Sequence, residues 1–434
     1  MKVLYLNSLY PPHVGGGAEI ALAGMVEGFR ARGQDVTVLT THGGAGVVRD
    51  TVQGVPVVRV GSKNIYWHFP LRNRPAWART LWHALDSCNL PMAHQVGRVI
   101  DEIKPDLMVC HNLPGLSAAV WACAESRGIP VVQVLHDYYN LCPKVSMFKE
   151  GAACAGPCTS CSVFRLPHKA ASKAVTAVVG VSRAVLDTHL ANGLFVDAKF
   201  KSVVYNAREL PPPPPRSVGS VFTFGYIGAL SEVKGVQQLA QAFERLLVRG
   251  GRRARLLIAG SGRPDEVARL QQEHGSERVQ FVGRVDAAAF YAQIDVCVVP
   301  SLWNEPLGMV VFEALAAGVP VIGSRRGGIP EMVQHGVNGL LFEPNEAGAL
   351  EASMARLMDD PELLQSMRLA GRPSVARFLD PQRMLGEYEA IYRHVLEGAR
   401  AGVAMPLAVP ATSAAPSIPP SAATHHGRAP VGID

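Results

Sequence analysis

Apolar residues along this chain fall into short continuous runs separated by stretches with helical spacing. In the first half, runs at 3–7, 36–40, 55–60, 107–111, 131–136, 177–181 and 202–205 read as strands buried on both faces. Between them, apolar positions recurring every three or four residues predict helices at 18–31, 93–103, 116–126 and 183–191. Five consecutive prolines at 211–215 can join neither a sheet nor a helix interior, so an extended spacer and a domain boundary are expected there. The rhythm then restarts, with strands at 222–227, 255–259, 279–282, 296–300, 319–323 and 339–342 and helices at 236–248, 264–274, 309–316 and 347–358. A last helix over 381–399 closes the folded part. From 400 to 434 the chain is mostly Ala, Pro and Ser, which cannot bury a core and is expected to be disordered. Strands alternating with helices in both halves predict an α/β protein with parallel sheets, in domains spanning 1–212 and 213–380.

Length agrees with that division, since 434 residues exceed one ordinary core. With 48% apolar and 18% charged residues, there is material for two. The amino terminus is apolar, but the run is short and ends in Pro11-Pro12 and a glycine cluster, so it reads as a first strand and not a signal peptide. No stretch approaches a membrane span, and the expected location is the cytoplasm, with contact at the inner face of the membrane. Charge is unevenly spread. Up to Pro212 there are 21 Lys and Arg against 14 Asp and Glu, and beyond it 21 against 22. A basic first half suits an anionic partner, either a phosphorylated or lipid-linked acceptor or an anionic membrane surface; ordinary solubility explains it equally well. Nucleic acid is not expected, because no basic run interleaved with aromatics matches a binding module. The 64–83 stretch, with Trp67, Trp77, Trp82, Phe69, Arg72, Arg74 and Arg79, reads as a loop or short helix at a membrane interface or acceptor mouth, or as a partly buried helical insertion.

The strongest chemical signal is Glu305-Pro306-Leu307-Gly308 followed by Glu313. It comes after a buried strand and opens an apolar helix, which places Glu305 near the helix start and Glu313 two turns inside, about 12 Å apart along a helical path. One carboxylate can accept hydrogen bonds from the transferred sugar, the other from a ribose, while free N–H groups at the helix start face a diphosphate. Alternatively, Glu305 only caps the helix and Glu313 is solvated. Against that, Glu313 lies between Phe312 and Ala314-Leu315-Ala316-Ala317, where an idle charge would be costly.

The segment from Pro300 to Ile322, continued by Gly327-Gly328-Ile329-Pro330-Glu331 and Asn338-Gly339, resembles the signature of the retaining glycosyltransferases of family four, which have the GT-B fold. The resemblance covers nearly the whole chain to about residue 398. It implies two facing Rossmann-like domains and a retaining transfer of sugar from a nucleotide diphosphate sugar, without a metal cofactor for catalysis. The donor, UDP- or GDP-linked, would lie mainly on the second domain. The acceptor would be a glycan or a lipid-linked molecule of cell-envelope or exopolysaccharide synthesis.

Other segments gain roles from that resemblance. Gly16 and Gly17, between the first strand and first helix, would wall the donor cleft, with Glu19 on the acceptor side. His111 ends a strand, where α/β sheets bind ligands, and would touch the donor sugar; His136 ends the next strand and would shape the acceptor side. Lys234, following Gly228, would hold the diphosphate as charge grows on it. The family commonly has arginine after that glycine, where this chain has Ala229, so one of two expected phosphate cations is missing, and Arg325 or Arg326 could substitute. Gly262 and Arg284 would approach the diphosphate and the base, and Pro306, Leu307 and Gly308 would line the donor site beside Glu313. Ser182, Arg183 and Asn206 match family positions too, although structural capping explains them. His111, Lys234 and Glu305 are thus the candidate catalytic residues.

Cys142, Cys154, Cys158 and Cys161 cluster in a Gly- and Pro-bearing loop over 142–161. A structural Zn site, an iron–sulfur cluster, a disulfide and free thiols all fit the spacing, with structural metal the expectation carried forward. Two rival functions share the architecture: a sugar-nucleotide 2-epimerase needing no acceptor, and a non-catalytic nucleotide-sugar-binding scaffold, which Ala229 makes conceivable.

Overall fold

The computed structural model describes residues 1–70, 74–212, 221–250 and 253–401. Most of the proline run and the 402–434 tail fall outside them, as do Arg72 and the expected disorder of that tail. The first domain alternates strands β1 (Lys2–Leu6), β2 (Asp35–His42), β3 (Val47–Val52), β4 (Val55–Gly61), β5 (Leu107–Cys110) and β6 (Val131–Leu135) with helices α1 (Gly17–Ala31), α2 (Ala76–Ser87), α3 (Leu90–Ile103) and α4 (Ala119–Glu125). A small hairpin, β7 (Phe148–Lys149) and β8 (Ala152–Ala153), and helix α5 (Thr159–Ala171) precede β9 (Ala177–Gly180), α6 (Arg183–Ala191) and β10 (Phe200–Val203). The second domain holds β11 (Phe222–Leu230), α7 (Val236–Gly250), β12 (Ala254–Gly262), α8 (Pro264–His274), β13 (Val279–Gly283), α9 (Ala287–Tyr291), β14 (Val296–Val299), α10 (Met309–Ala316), β15 (Val321–Ser324), β16 (Gly339–Phe342), α11 (Ala349–Asp359) and α12 (Pro361–Ser374). Helix α13 (Pro381–Ala401) ends the described chain.

The first sheet runs β10-β9-β6-β5-β1-β2-β4-β3, parallel except for the β3–β4 hairpin; the second runs β13-β12-β11-β14-β15-β16, parallel throughout. Strand order reverses between β1 and β5 in one sheet and between β11 and β14 in the other, and at such a switch point the carboxyl ends of the strands leave a crevice. The central strands are buried along their length, Val3 to Leu6 and Val296 to Val299 included, as their continuous apolar runs require. Edge strand β3 departs from that rule, being exposed at nearly every position.

The last helix crosses back to the first domain. Tyr388 and Tyr392 of α13 are fully buried, and the Tyr392 ring lies 5.5 Å from Phe29 on α1. Arg32 pairs with Glu389 at 3.1 Å. A single apolar cluster accordingly runs through both domains, joining β1 and α1 to α10, Phe378 and α13.

Candidate active site

The carboxyl ends of β11 and β14 and the amino ends of α1 and α10 enclose a cavity of about 300 Å³ between the domains. Gly17, Ala18, His136 and Asn206 line it from one side, and Tyr226, Gly228, Lys234, Trp303, Glu305 and the Pro306–Leu307–Gly308 turn from the other. Two helix starts therefore meet there: a Cβ on Gly17 would lie 3.4 Å from the Met309 sulfur. The unpaired N–H groups at helix starts favour an anion.

Glu305 lies four residues ahead of α10, which begins at Met309 as the spacing predicted. Gly308 takes a left-handed conformation (φ 82°) and ends an irregular turn, so the helix begins at Met309 and Glu305 stays in the preceding loop. That loop is held from below: Gly328 N–H donates to the Glu305 carbonyl, and a side chain on Gly327 (φ 55°) would collide with the Glu305 backbone. The Glu305 carboxylate is buried and accepts from Lys234 Nζ at 2.6 Å and from Ser301 Oγ at 2.7 Å. Burial pushes its pKa up, but the Lys234 ammonium and these hydrogen bonds outweigh it and hold the group below the usual range. Lys234 also lies 5.2 Å from the Trp303 ring centre.

Glu313 lies one turn along α10 from the cavity-lining Val310, in a second cavity that it shares with Arg208, Asp286 and Tyr291. Arg208 Nη1 donates to its carboxylate at 2.8 Å. Burial raises the Glu313 pKa, against the pull of Arg208. Arg208 was not foreseen; it comes from the segment joining the two domains, which carries no motif.

His111 sits one layer behind the cavity. It is fully buried against Tyr5, and its Nδ1 is 2.8 Å from His136 Nε2. Only His136 reaches the cavity wall, where acceptor-side placement was expected. Burial depresses both imidazoles, His136 to about 4, so both are neutral at pH 7. Glu19, also expected on the acceptor side, is consumed elsewhere: its carboxylate accepts from Gly16 N–H at 2.8 Å and closes the start of α1. Gly262 lies at the end of β12 beside Leu230, and Arg284 donates to Ser261 Oγ at 3.1 Å; neither lines the cavity. Nor do Arg325, which pairs with Glu343, or Arg326. Ser182 caps α6 through Val185 N–H, as capping foresaw. Asn206, set aside as a cap, instead lines the cavity with its Oδ1 buried and unpaired. Tyr226 and Trp303 line it as well; Trp303 lay inside the matched Pro300–Ile322 segment and Tyr226 in a predicted strand, neither singled out.

The four clustered cysteines are free thiols. Cys142 and Cys161 approach to 3.6 Å, but Cys158, at the start of α5, is exposed and turned to Ser160 Oγ at 3.2 Å. Among the described residues no three His, Cys, Asp or Glu side chains are arranged to hold a metal.

Two family models match the chain: a glycosyl transferase 4-like domain over residues 16–207 and glycosyl transferases group 1 over 221–360. A 42.6 kDa uncharacterised protein in the cps region of Klebsiella pneumoniae is 30% identical over 332 residues, 76% of this chain and 87% of that protein. Sucrose-phosphate synthase from Thermosynechococcus elongatus superposes with a TM-score of 0.71 at 20% identity, over 92% of this chain and all of that one. Anabaena HepE in complex with UDP gives 0.66 at 21% identity, over 91% and 100%. The chain belongs to the group 1 glycosyltransferases with the GT-B fold. Its activity is therefore sugar transfer, as the resemblance implied.

Proposed function

We propose that the protein transfers a sugar, with retention of anomeric configuration, from a UDP- or GDP-sugar to a glycan or lipid-linked acceptor of envelope or exopolysaccharide synthesis, at the cytoplasmic face of the membrane. The observation that carries the reading is the buried Lys234–Glu305 pair, set between two facing helix starts. A diphosphate entering there draws Lys234 toward itself. Glu305 is then left with acceptor capacity for sugar hydroxyls, and the departing phosphate meets a fixed cation and fixed N–H groups. Glu313 accepts from the ribose next door, and neutral His136 offers a hydrogen bond from the opposite wall. Lys234 and the helix amides supply the counter-charge, so the transfer is proposed to need no metal. No covalent nucleophile is assigned among the described residues, and the proposed route is front-face departure and attack. Anabaena HepE, a structural neighbour, has been solved in complex with UDP and with UDP-glucose, which supports UDP-sugars as the first donors to try.

The test is incubation with UDP-, GDP-, ADP- and dTDP-sugars, reading donor cleavage and anomeric configuration by NMR. Slow cleavage with retained configuration, lost in Lys234→Ala and Glu313→Ala, is expected. Epimer formation without transfer would favour the 2-epimerase, tight binding without turnover the scaffold, and absence of binding to every donor would overturn the reading.

A further inference from the structure

Outside the cleft, the first domain carries an apolar face that the chain leaves uncovered. On α2, Trp77, Leu81 and Leu85 follow one another at four-residue spacing and are exposed, Trp77 to 69%. Trp82 of the same helix is buried, its indole N–H bonded to the Tyr66 carbonyl, so exposure of Trp77 is a property of its face and not of the helix. Helix α5 packs against α2, with Ser87 Oγ donating to the Phe164 carbonyl, and exposes Val163 and Leu166.

The segments that carry this face are rich in basic residues and poor in acidic ones. From residue 61 to 100 the sequence has five Lys and Arg and a single acidic residue, Asp86. Asp86 is fully buried, accepting from Gly115 N–H and the Tyr139 hydroxyl, so it presents nothing outward. From 151 to 186 there are four Lys and Arg and no Asp or Glu. Arg79, two residues from Trp77, is exposed, as are Lys169 and Lys173 at the end of α5.

We propose that the joined outer face of α2 and α5 is a docking surface for an anionic lipid bilayer. Helix α2 would lie in the interface, with Trp77, Leu81 and Leu85 below the headgroups, while Arg79, about 200° round the helix from Trp77, stays on its water-facing side. A tryptophan at the end of an apolar stripe suits that boundary, where one part of the ring is apolar and the other wet. An anionic bilayer meets the unopposed cations, which a neutral apolar partner would leave unmatched. Among the described residues no helix is long and apolar enough to cross a membrane, so this face lies on the bilayer and spans nothing. The proposal deepens the reading of a membrane-borne acceptor, and rests on that reading only for its use in catalysis.

Vesicle binding needs neither donor nor acceptor, so its failure and a failure of the transferase reading are separable. The full chain is sedimented with vesicles of phosphatidylcholine alone and with about one-third phosphatidylglycerol. Binding to the anionic vesicles, at least about tenfold tighter than to neutral ones and weakened by salt, is expected. Trp77→Ala with Leu81→Ser, and separately Lys169→Glu, at the position flanking Leu166 on α5, should each weaken it about tenfold without lowering Tm, since these side chains are exposed. Equal binding by parent and variants would overturn the proposal, as would no binding at all. So would a lipid-free dimer that the same substitutions dissolve, which would make the face a self-association surface.

Discussion

Lys234 and Glu305 hold each other in a place neither would occupy alone. Replacing Lys234 with Met leaves a carboxylate buried without its cation, which should cost on the order of 2 kcal/mol, discounted because the lysine is 27% exposed. The sign with pH is definite. In the parent chain Glu305 is held below its usual pKa, so its contribution is present above the unfolded value and fades as pH falls through the folded one. In Lys234→Met burial is opposed by the Ser301 hydrogen bond but no longer by a cation, and stability should instead fall as pH rises through the carboxylate range. Chemical denaturation at pH 4 and pH 7 reads the difference. Lys234→Met with Glu305→Gln should recover most of the stability and none of the activity. Cys158 gives a second prediction. Hydrogen bonds from Ser160 and from the Cys161 backbone bring its thiol down to about 7, while burial pushes Cys161 up to about 12. Alkylation of Cys158 should accelerate with a midpoint near pH 7 and far outpace that of Cys161, as peptide mass mapping would report.

Elements show where reading the chain succeeds and where it stops. The central strands were legible because burial on both faces leaves an unbroken apolar run, and α1, α6 and α10 because their apolar spacing is regular. Strand β3 escaped because an exposed edge has no such run. Helix α2 was only half seen: one of its faces is apolar and uncovered, so its pattern does not separate inside from outside. Sequence reveals that His111 ends a strand but not that His136 stands between it and the cavity, since layer order depends on packing. It could not show the path of the 305–308 turn ahead of α10 either, because that rests on the left-handed backbone of Gly308. Family resemblance supplied the remaining roles, Lys234 above all. One element contact was invisible from either half: Glu331 of the second domain accepts from Arg183 N–H and Ala184 N–H at the start of α6 and from Tyr205 O–H. It caps a helix of the other domain. Glu331→Gln should cost about 1 kcal/mol, visible as a lower Tm with the donor affinity of the cleft shifted as well.

At the scale of the molecule, buried ionisable groups set the response to acid. Burial lowers His68, His83, His136 and His189 to about 4, and raises Asp86 and Asp137 to about 6. Between pH 4 and 6.5 the unfolded chain binds more protons at the histidines, so they make stability rise with pH; the two aspartates, protonated longer in the fold, act oppositely. Four groups against two predict a Tm that falls on acidification from 6.5 to 4.5, with net proton uptake on unfolding near pH 5. A flat profile would contradict this. The shared apolar cluster has its own consequence. The chain passes between the domains twice, once near Arg208–Leu210 and again ahead of α13, and these crossings are tied together: Arg208 N–H donates to the Phe378 carbonyl, and Arg372 to the Leu210 carbonyl. A door hung on two pins swings about one line only. The domains should likewise rock about the axis through these crossings and resist twisting or sliding, so any opening of the cleft widens the mouth far from the crossings most.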